Sequence, residues 1–283
     1  MLEFIQALGN PAVPFLRYAL IAGVLSSAAF GIVGTYITVR RITYLAGAIA
    51  HSVLAGIGLS LYLREAHGVE WLSPILGAMV AAVVAGGIIG YVSMHAKERE
   101  DTVIGAVWAT GMALGLLLIS RTPGYVDPMS YLFGNILILS QRDLVLIAVL
   151  DVIVISAGLL GYNQFQAVAF DEEFARVRGL PTSALFFAMI LMTALSIVLL
   201  TTIVGLIMVI ALFTLPAAVG AMLARRMWMV MLLATIFTMV FTTVGLGLSY
   251  TYDLPSGPTI IAFAGVVYLI ATGIKSLTAR AGN

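Results

Sequence analysis

Strongly apolar segments recur along the whole chain and are separated only by short polar stretches. A helix needs about 20 mostly apolar residues to cross the hydrocarbon core of a bilayer. Nine segments approach or exceed that length, namely 15–39, 42–63, 72–94, 103–120, 143–163, 182–201, 203–224, 228–250 and 258–275. The pattern therefore predicts an all-α, polytopic membrane protein with about 8–9 transmembrane helices in a single domain over residues 1–283.

Three parts of the pattern are less regular. The sixth and seventh segments run together over about twice one crossing, which predicts a break near Thr201 and Thr202. Residues 128–140 have an apolar core that is too short to span, which predicts a re-entrant or interfacial segment. Residues 170–179 place phenylalanine and valine at helical spacing among charges, which predicts a short amphipathic helix.

Composition supports a membrane protein and excludes several classes of site. The chain is 61% hydrophobic and 10% charged, whereas soluble domains carry about 25% charged residues. A net charge of +1 argues against nucleic-acid binding, which needs a basic patch. The chain has no cysteine, which excludes disulfide frameworks, iron–sulfur clusters and thiolate zinc sites.

The positive charges predict the orientation, because cytoplasmic loops carry an excess of Lys and Arg. If Arg40 and Arg41 lie in the cytoplasm, alternation of the spans places ten of the fourteen Lys and Arg residues on that side. The four exceptions are Arg17, Arg64, Arg121 and Arg142. We therefore expect the N-terminus outside and the C-terminus in the cytoplasm.

One histidine, His51, lies within the second apolar segment. An ionisable group at membrane depth is costly unless it faces a cavity or a partner. Its same-face neighbours on a helix are small apart from one leucine: Gly47, Ala48, Leu54, Ala55 and Gly58. Two interpretations stay open, a metal or proton site on a water-filled path, and close helix packing with the ring hydrogen-bonded to a carbonyl.

A second buried ionisable group is predicted at Asp151, about two turns into the fifth segment. It is a candidate for an intramembrane functional acid, although a buried hydroxyl partner would equally explain it. The chain contains no Walker A pattern, no H-E-x-x-H and no G-x-S-x-G. We therefore expect no P-loop ATP site on this chain and no enzymatic activity of its own.

Five segments, in order, resemble a known family. They are RRITYLAGAIAHSVLAGIGLSL at 40–61, YLFG at 131–134, DEEFARVRG at 171–179, FTLPAAVGAMLARR at 213–226 and DLPSGP at 253–258. Together they resemble the permease subunit of bacterial ABC importers for zinc, manganese and iron(II). The resemblance implies a transmembrane permease domain that moves a divalent metal ion into the cytoplasm, driven by ATP hydrolysis on separate subunits.

The resemblance also implies roles for individual residues. His51 matches the histidine that contacts the passing ion, and Gly47 stands where the family usually has an aspartate. Because imidazole suits zinc whereas carboxylate suits manganese, this departure favours zinc. The implied translocation path consists of Gly47, His51, Ala55 and Gly58, with Asp151 as a further candidate. The implied contacts to the ATPase are Phe170, Asp171, Glu172, Phe174, Arg176, Val177, Arg178 and Gly179.

The family's partners follow in the same way. They are a second permease copy, whose His51 could complete a two-nitrogen site, two ABC ATPase subunits, and an extracytoplasmic metal-binding protein. No permanently bound cofactor is implied, and the location is the bacterial cytoplasmic (inner) membrane. The rival hypothesis is a proton-coupled secondary transporter with His51 or Asp151 as the proton carrier. An intramembrane enzyme fits least, because no paired nucleophile and base is found.

Overall fold

The computed structural model describes residues 2–10, 13–95, 100–124 and 141–281, and in these ranges it is helical without strands. Twelve helices are described: α1 Leu2–Gly9, α2 Pro14–Val39, α3 Thr43–His67, α4 Pro74–His95, α5 Glu100–Arg121, α6 Gln141–Leu160, α7 Tyr162–Phe170, α8 Glu172–Val177, α9 Thr182–Val204, α10 Leu206–Leu223, α11 Met227–Tyr252 and α12 Ser256–Ala281. The predicted re-entrant segment at 128–140 and the YLFG motif lie outside the described residues.

The predicted all-α, polytopic membrane architecture is confirmed. Seven of the described helices are long and apolar enough to cross a bilayer: α2, α3, α4, α5, α10, α11 and α12. Helices α6 and α7 form one further apolar stretch that is bent by 71° at its break, so the number of spans reaches eight if this pair counts as one. The apolar part of α9, Thr182–Val198, is shorter.

Helix α3 lies in the centre of the bundle. Of its most apolar stretch 78% is buried, against 11% for the peripheral α12. It packs on α4 and α5, while α2 packs on α6, α10 and α11, and α9 joins the two groups. Glycines allow this close approach, because a Cβ on Gly56 would lie 2.0 Å from the carbonyl oxygen of Gly77 on α4. Small residues are what bring helices together in lipid, where burial of apolar surface drives little association.

The break between the sixth and seventh apolar segments is at Gly205, so the prediction of Thr201 and Thr202 is wrong. Gly205 has φ 91° and ψ 152° and separates α9, which ends at Val204, from α10, which begins at Leu206. A positive φ is readily adopted only by glycine. The length of the apolar run predicted that a break exists, whereas the conformational freedom of glycine decided its position.

The predicted amphipathic helix at 170–179 is shorter than expected. Asp171 is extended and ends α7, and its Oδ1 accepts a 2.9 Å hydrogen bond from the backbone N–H of Phe174. The aspartate therefore caps α8, which covers only Glu172–Val177. Phe170 belongs to the preceding helix, and Gly179 lies in the turn that follows with φ 80°.

Candidate functional site

The buried His51 ring donates a hydrogen bond to its own helix. Its Nδ1 lies 2.8 Å from the carbonyl oxygen of Gly47, and the residue is 8% exposed. Because a carbonyl oxygen only accepts, Nδ1 must donate the proton, which leaves the lone pair of the neutral ring on Nε2. Metal-binding histidines typically have this arrangement, with one nitrogen fixed by an oxygen and the other directed at the ion.

A second contact of the His51 ring comes from α5. The indole of Trp108 is stacked on the imidazole, with ring centroids 4.4 Å apart and planes inclined by 26°. Tyr44 extends this aromatic group, since its ring centroid is 5.7 Å from that of Trp108. Trp108 is not among the site residues predicted from the sequence, because nothing in its own segment shows that it packs beside the histidine of another helix.

The hydroxyl of Ser52 ties α3 to α5 next to this site. Its Oγ lies 2.8 Å from the carbonyl oxygen of Ala48 and 3.1 Å from that of Val107. A serine that bonds carbonyls of two helices holds their relative position in an environment without water. This contact links α3 to α5 at Val107, the residue before Trp108.

The remaining predicted path residues lie on the same face of α3, which is packed on α5. A Cβ on Gly58 would come within 2.6 Å of the carbonyl oxygen of Gly115, and Ala55 is half-buried. These contacts are those of close helix packing. A role for Gly47, Ala55 and Gly58 in a translocation path stays a prediction.

Asp151 is buried elsewhere in the bundle. It is 4% exposed, and neither carboxylate oxygen has a hydrogen-bond partner within the part of the chain that the structure describes. Its helix, α6, packs on α2 and α9, whereas His51 lies between α3 and α5. A role for Asp151 in the path stays a prediction.

One chain does not supply a full metal-ligand set in the described ranges. Among residues 2–10, 13–95, 100–124 and 141–281 no three His, Cys, Asp or Glu side chains are grouped so that they could hold a metal ion. Within these ranges His51 therefore belongs to no group of three such side chains. A site that must release its ion needs only moderate affinity, and a second copy could add ligands.

The second candidate region contains the predicted ATPase contacts at 170–179. There Arg40, at the end of α2, joins four helices. Its guanidinium donates to the carbonyl oxygen of Val168 at 2.7 Å and to Oε2 of Glu172 at 2.6 Å. It also lies over the ring of Phe186, 4.3 Å from the centroid. A second arginine, Arg176, reaches the same carboxylate at 3.1 Å. Arg40 therefore connects α2 with α7, α8 and α9.

The exposed surface of this junction is apolar. Phe170, Phe174 and Val177 are 62%, 54% and 88% exposed and form what we call the α8 surface. A cavity of about 550 Å³ lies beside it and is lined by charged and polar groups that include Arg40, Glu172, Arg176, Ser93 and Ser183. An apolar surface beside a charged recess is typical of a docking site for another protein.

Comparison with known proteins covers almost the entire chain. Residues 12–275 match the family described as the ABC 3 transport family. An uncharacterized membrane protein of Synechocystis is 39% identical over 92% of this chain and 91% of its own length. The manganese transport system membrane protein MntC of Listeria monocytogenes is 33% identical over 91% and 89%. The solved structure of PsaBC from Streptococcus pneumoniae in complex with Fab matches with a TM-score of 0.83 and 28% identity, over 95% of this chain and 94% of that one.

Proposed function

This chain belongs to the ABC-3 transport family, and on that premise we propose that it is the permease subunit of an importer for a divalent transition-metal ion. The resemblance drawn from its five sequence motifs is thereby confirmed. The observation that carries the proposal is the geometry of His51. A buried imidazole in the central helix has one nitrogen hydrogen-bonded to Gly47, which leaves the lone pair on the other nitrogen.

The proposed substrate is zinc. The ligand that His51 would supply is an imidazole, and position 47, one turn away on the same face, carries no carboxylate. Imidazole is a good ligand for zinc, whereas manganese favours carboxylate and water oxygens. Manganese is the rival substrate, because the relative from Listeria monocytogenes is named as a manganese transport protein.

ATP would be hydrolysed on separate subunits that dock on the α8 surface. The chain has no Walker A motif, and α8 offers exposed phenylalanine and valine side chains beside charged groups. Two permease copies, two ATPases and an extracytoplasmic metal-binding protein complete the proposed assembly. In the bacterial cytoplasmic membrane, the Arg40 end and the C-terminus would face the cytoplasm, as the charge distribution predicts.

Uptake into proteoliposomes tests the proposal. The permease is reconstituted with its ATPase, and the uptake of labelled zinc, manganese and iron(II) is followed with ATP, without ATP and with a proton gradient alone. We expect ATP-dependent uptake in which zinc is preferred. Uptake that needs only the proton gradient, and no ATPase, would instead establish a secondary transporter.

The first mutational prediction concerns His51. His51→Ala should reduce zinc uptake to background, because the imidazole is the metal ligand, while the complex with the ATPase still assembles. The control is His67→Ala on the same helix, where the histidine is exposed, and this variant should transport normally. Zinc accumulation by His51→Ala at the wild-type rate would remove the proposed site.

A further inference from the structure

Trp108 determines how the His51 ring can present its metal-binding nitrogen. The indole covers one face of the imidazole at a centroid distance of 4.4 Å, and Gly47 holds Nδ1 at 2.8 Å. An imidazole that is fixed at one face and at one nitrogen cannot rotate about its side-chain bonds without losing a contact. The direction of the Nε2 lone pair is therefore set by α5 as well as by α3.

Position 47 has no room for a side chain while Trp108 is in place. A Cβ on Gly47 would lie 2.7 Å from Cζ3 and 3.0 Å from Cη2 of the indole. Both atoms lie at the far end of the indole, which is stacked on His51, so making room at position 47 would require the ring to move against that stack. The indole thus takes the volume that a side chain at position 47 would need.

We propose that Trp108 and Gly47 form a matched pair that determines metal selectivity, with Trp108 as the positioning residue for His51. The indole excludes a carboxylate from the position one turn before the histidine. Without that oxygen ligand the site favours an ion that imidazole binds well, such as zinc, over manganese. This inference rests on the proposed function, because it concerns selectivity at the proposed site.

The steric conflict between a side chain at position 47 and the indole of Trp108 is tested first, by measuring thermal stability rather than transport. Gly47→Asp alone should lower the unfolding temperature of the purified permease, because the new side chain collides with the indole. The double variant Gly47→Asp/Trp108→Ala should recover part of that loss, since the smaller side chain makes room. A Gly47→Asp variant as stable as the wild type would overturn the inference.

Selectivity is tested next, by initial rates of ATP-driven zinc and manganese uptake in proteoliposomes. Trp108→Ala should raise KM for zinc about tenfold with the maximal rate retained, since supporting contacts of metal-binding histidines change affinity by about 10- to 100-fold. The double variant should shift the ratio of kcat/KM towards manganese by about tenfold. Trp108→Phe, which keeps an aromatic face, should retain the wild-type KM.

Fluorescence provides a direct measurement on the stacked pair. The chain has three tryptophans, and replacing the exposed Trp71 and Trp228 by phenylalanine leaves Trp108 as the only emitter. Zinc should change the emission of Trp108, because the ion binds the ring that lies against the indole. Adding His51→Ala should abolish that change. If zinc leaves the emission of the purified permease unchanged although the same variant transports zinc in its complex, the inference is contradicted.

The outcomes separate this inference from the proposed function. If the wild-type complex transports zinc and the double variant keeps the wild-type preference, the pair does not set selectivity, and the proposed function stands. If Trp108→Phe loses affinity as Trp108→Ala does, stacking is not the cause, and the inference is again wrong. If the wild-type complex moves no metal with ATP, both fail.

Discussion

At the scale of single residues, the absence of a side chain decides how closely α3 and α5 approach. A Cβ on Gly115 would lie 2.5 Å from the carbonyl carbon of Leu54 and 2.8 Å from the backbone nitrogen of Ala55. These are backbone atoms, which can move only if a whole helix moves. Gly115 is therefore required by the contact and not by the local conformation of α5.

The corresponding prediction is that Gly115→Ala destabilises the permease. An added methyl group in a packed interface costs about 1–3 kcal/mol, and here it also pushes α5 away from His51. Thermal unfolding of the purified protein in detergent measures the loss. The control is Gly105→Ala on the same helix, where an added Cβ meets nothing within 4 Å. Equal stability of the two variants would contradict the assigned contact.

At the scale of helices, Arg40 connects the membrane bundle to α8. Its side chain is 15% exposed and its guanidinium contacts Val168, Glu172 and Phe186. The turn that follows contains Arg41, which has φ 61°, and it leads directly into α3. Arg40 thus contacts α8 directly, next to the turn that precedes the helix carrying His51.

A double-mutant cycle measures this link. Arg40→Gln and Glu172→Gln, alone and together, should show a coupling energy of about 1–3 kcal/mol in unfolding experiments, because the ion pair is largely shielded and charge-assisted. The control pair is Arg64 and Glu65, which are about half exposed and 3.7 Å apart, and it should couple by about 0–1 kcal/mol. Additive effects of the first pair would show that the ion pair of Arg40 with Glu172 does not connect α2 and α8 energetically.

At the scale of the whole molecule, polar junctions and apolar spans are segregated. The ion pair of Arg40 with Glu172 shows that the α2–α3 turn and α8 lie at the same end of the bundle. Ser93, near the end of α4, lines the cavity at that end as well. This arrangement agrees with the alternation of spans from which the orientation is predicted, and it leaves the side chains of the α8 surface exposed.

The prediction at this scale concerns assembly with the ATPase. Phe174→Asp places a carboxylate in the centre of the α8 surface, and it should reduce both co-purification of the ATPase and metal-stimulated ATP hydrolysis, because burying an unpaired charge at an interface is costly. Phe174→Leu keeps the surface apolar and should behave nearly as the wild type. Normal stimulation in Phe174→Asp would argue against docking at α8.

The sequence by itself determined the class of protein, the position of nearly every membrane helix and the presence of His51 within one of them. These are local properties, because a run of apolar side chains prefers lipid whatever lies beside it. The motif at DEEFARVRG also located the segment of α8. The exact break at Gly205 and the helix cap at Asp171 were not predicted, because hydropathy does not report backbone dihedral angles or side-chain hydrogen bonds.

Only the tertiary structure decided which residues meet. The indole of Trp108 is stacked on the ring of His51, and Arg40 forms an ion pair with Glu172, although the residues of each pair are far apart in the chain. Helices in lipid choose their register through the fit of small residues and a few polar contacts across the interface. The fit depends on both helices of a pair, so it cannot be predicted from the sequence of either segment alone.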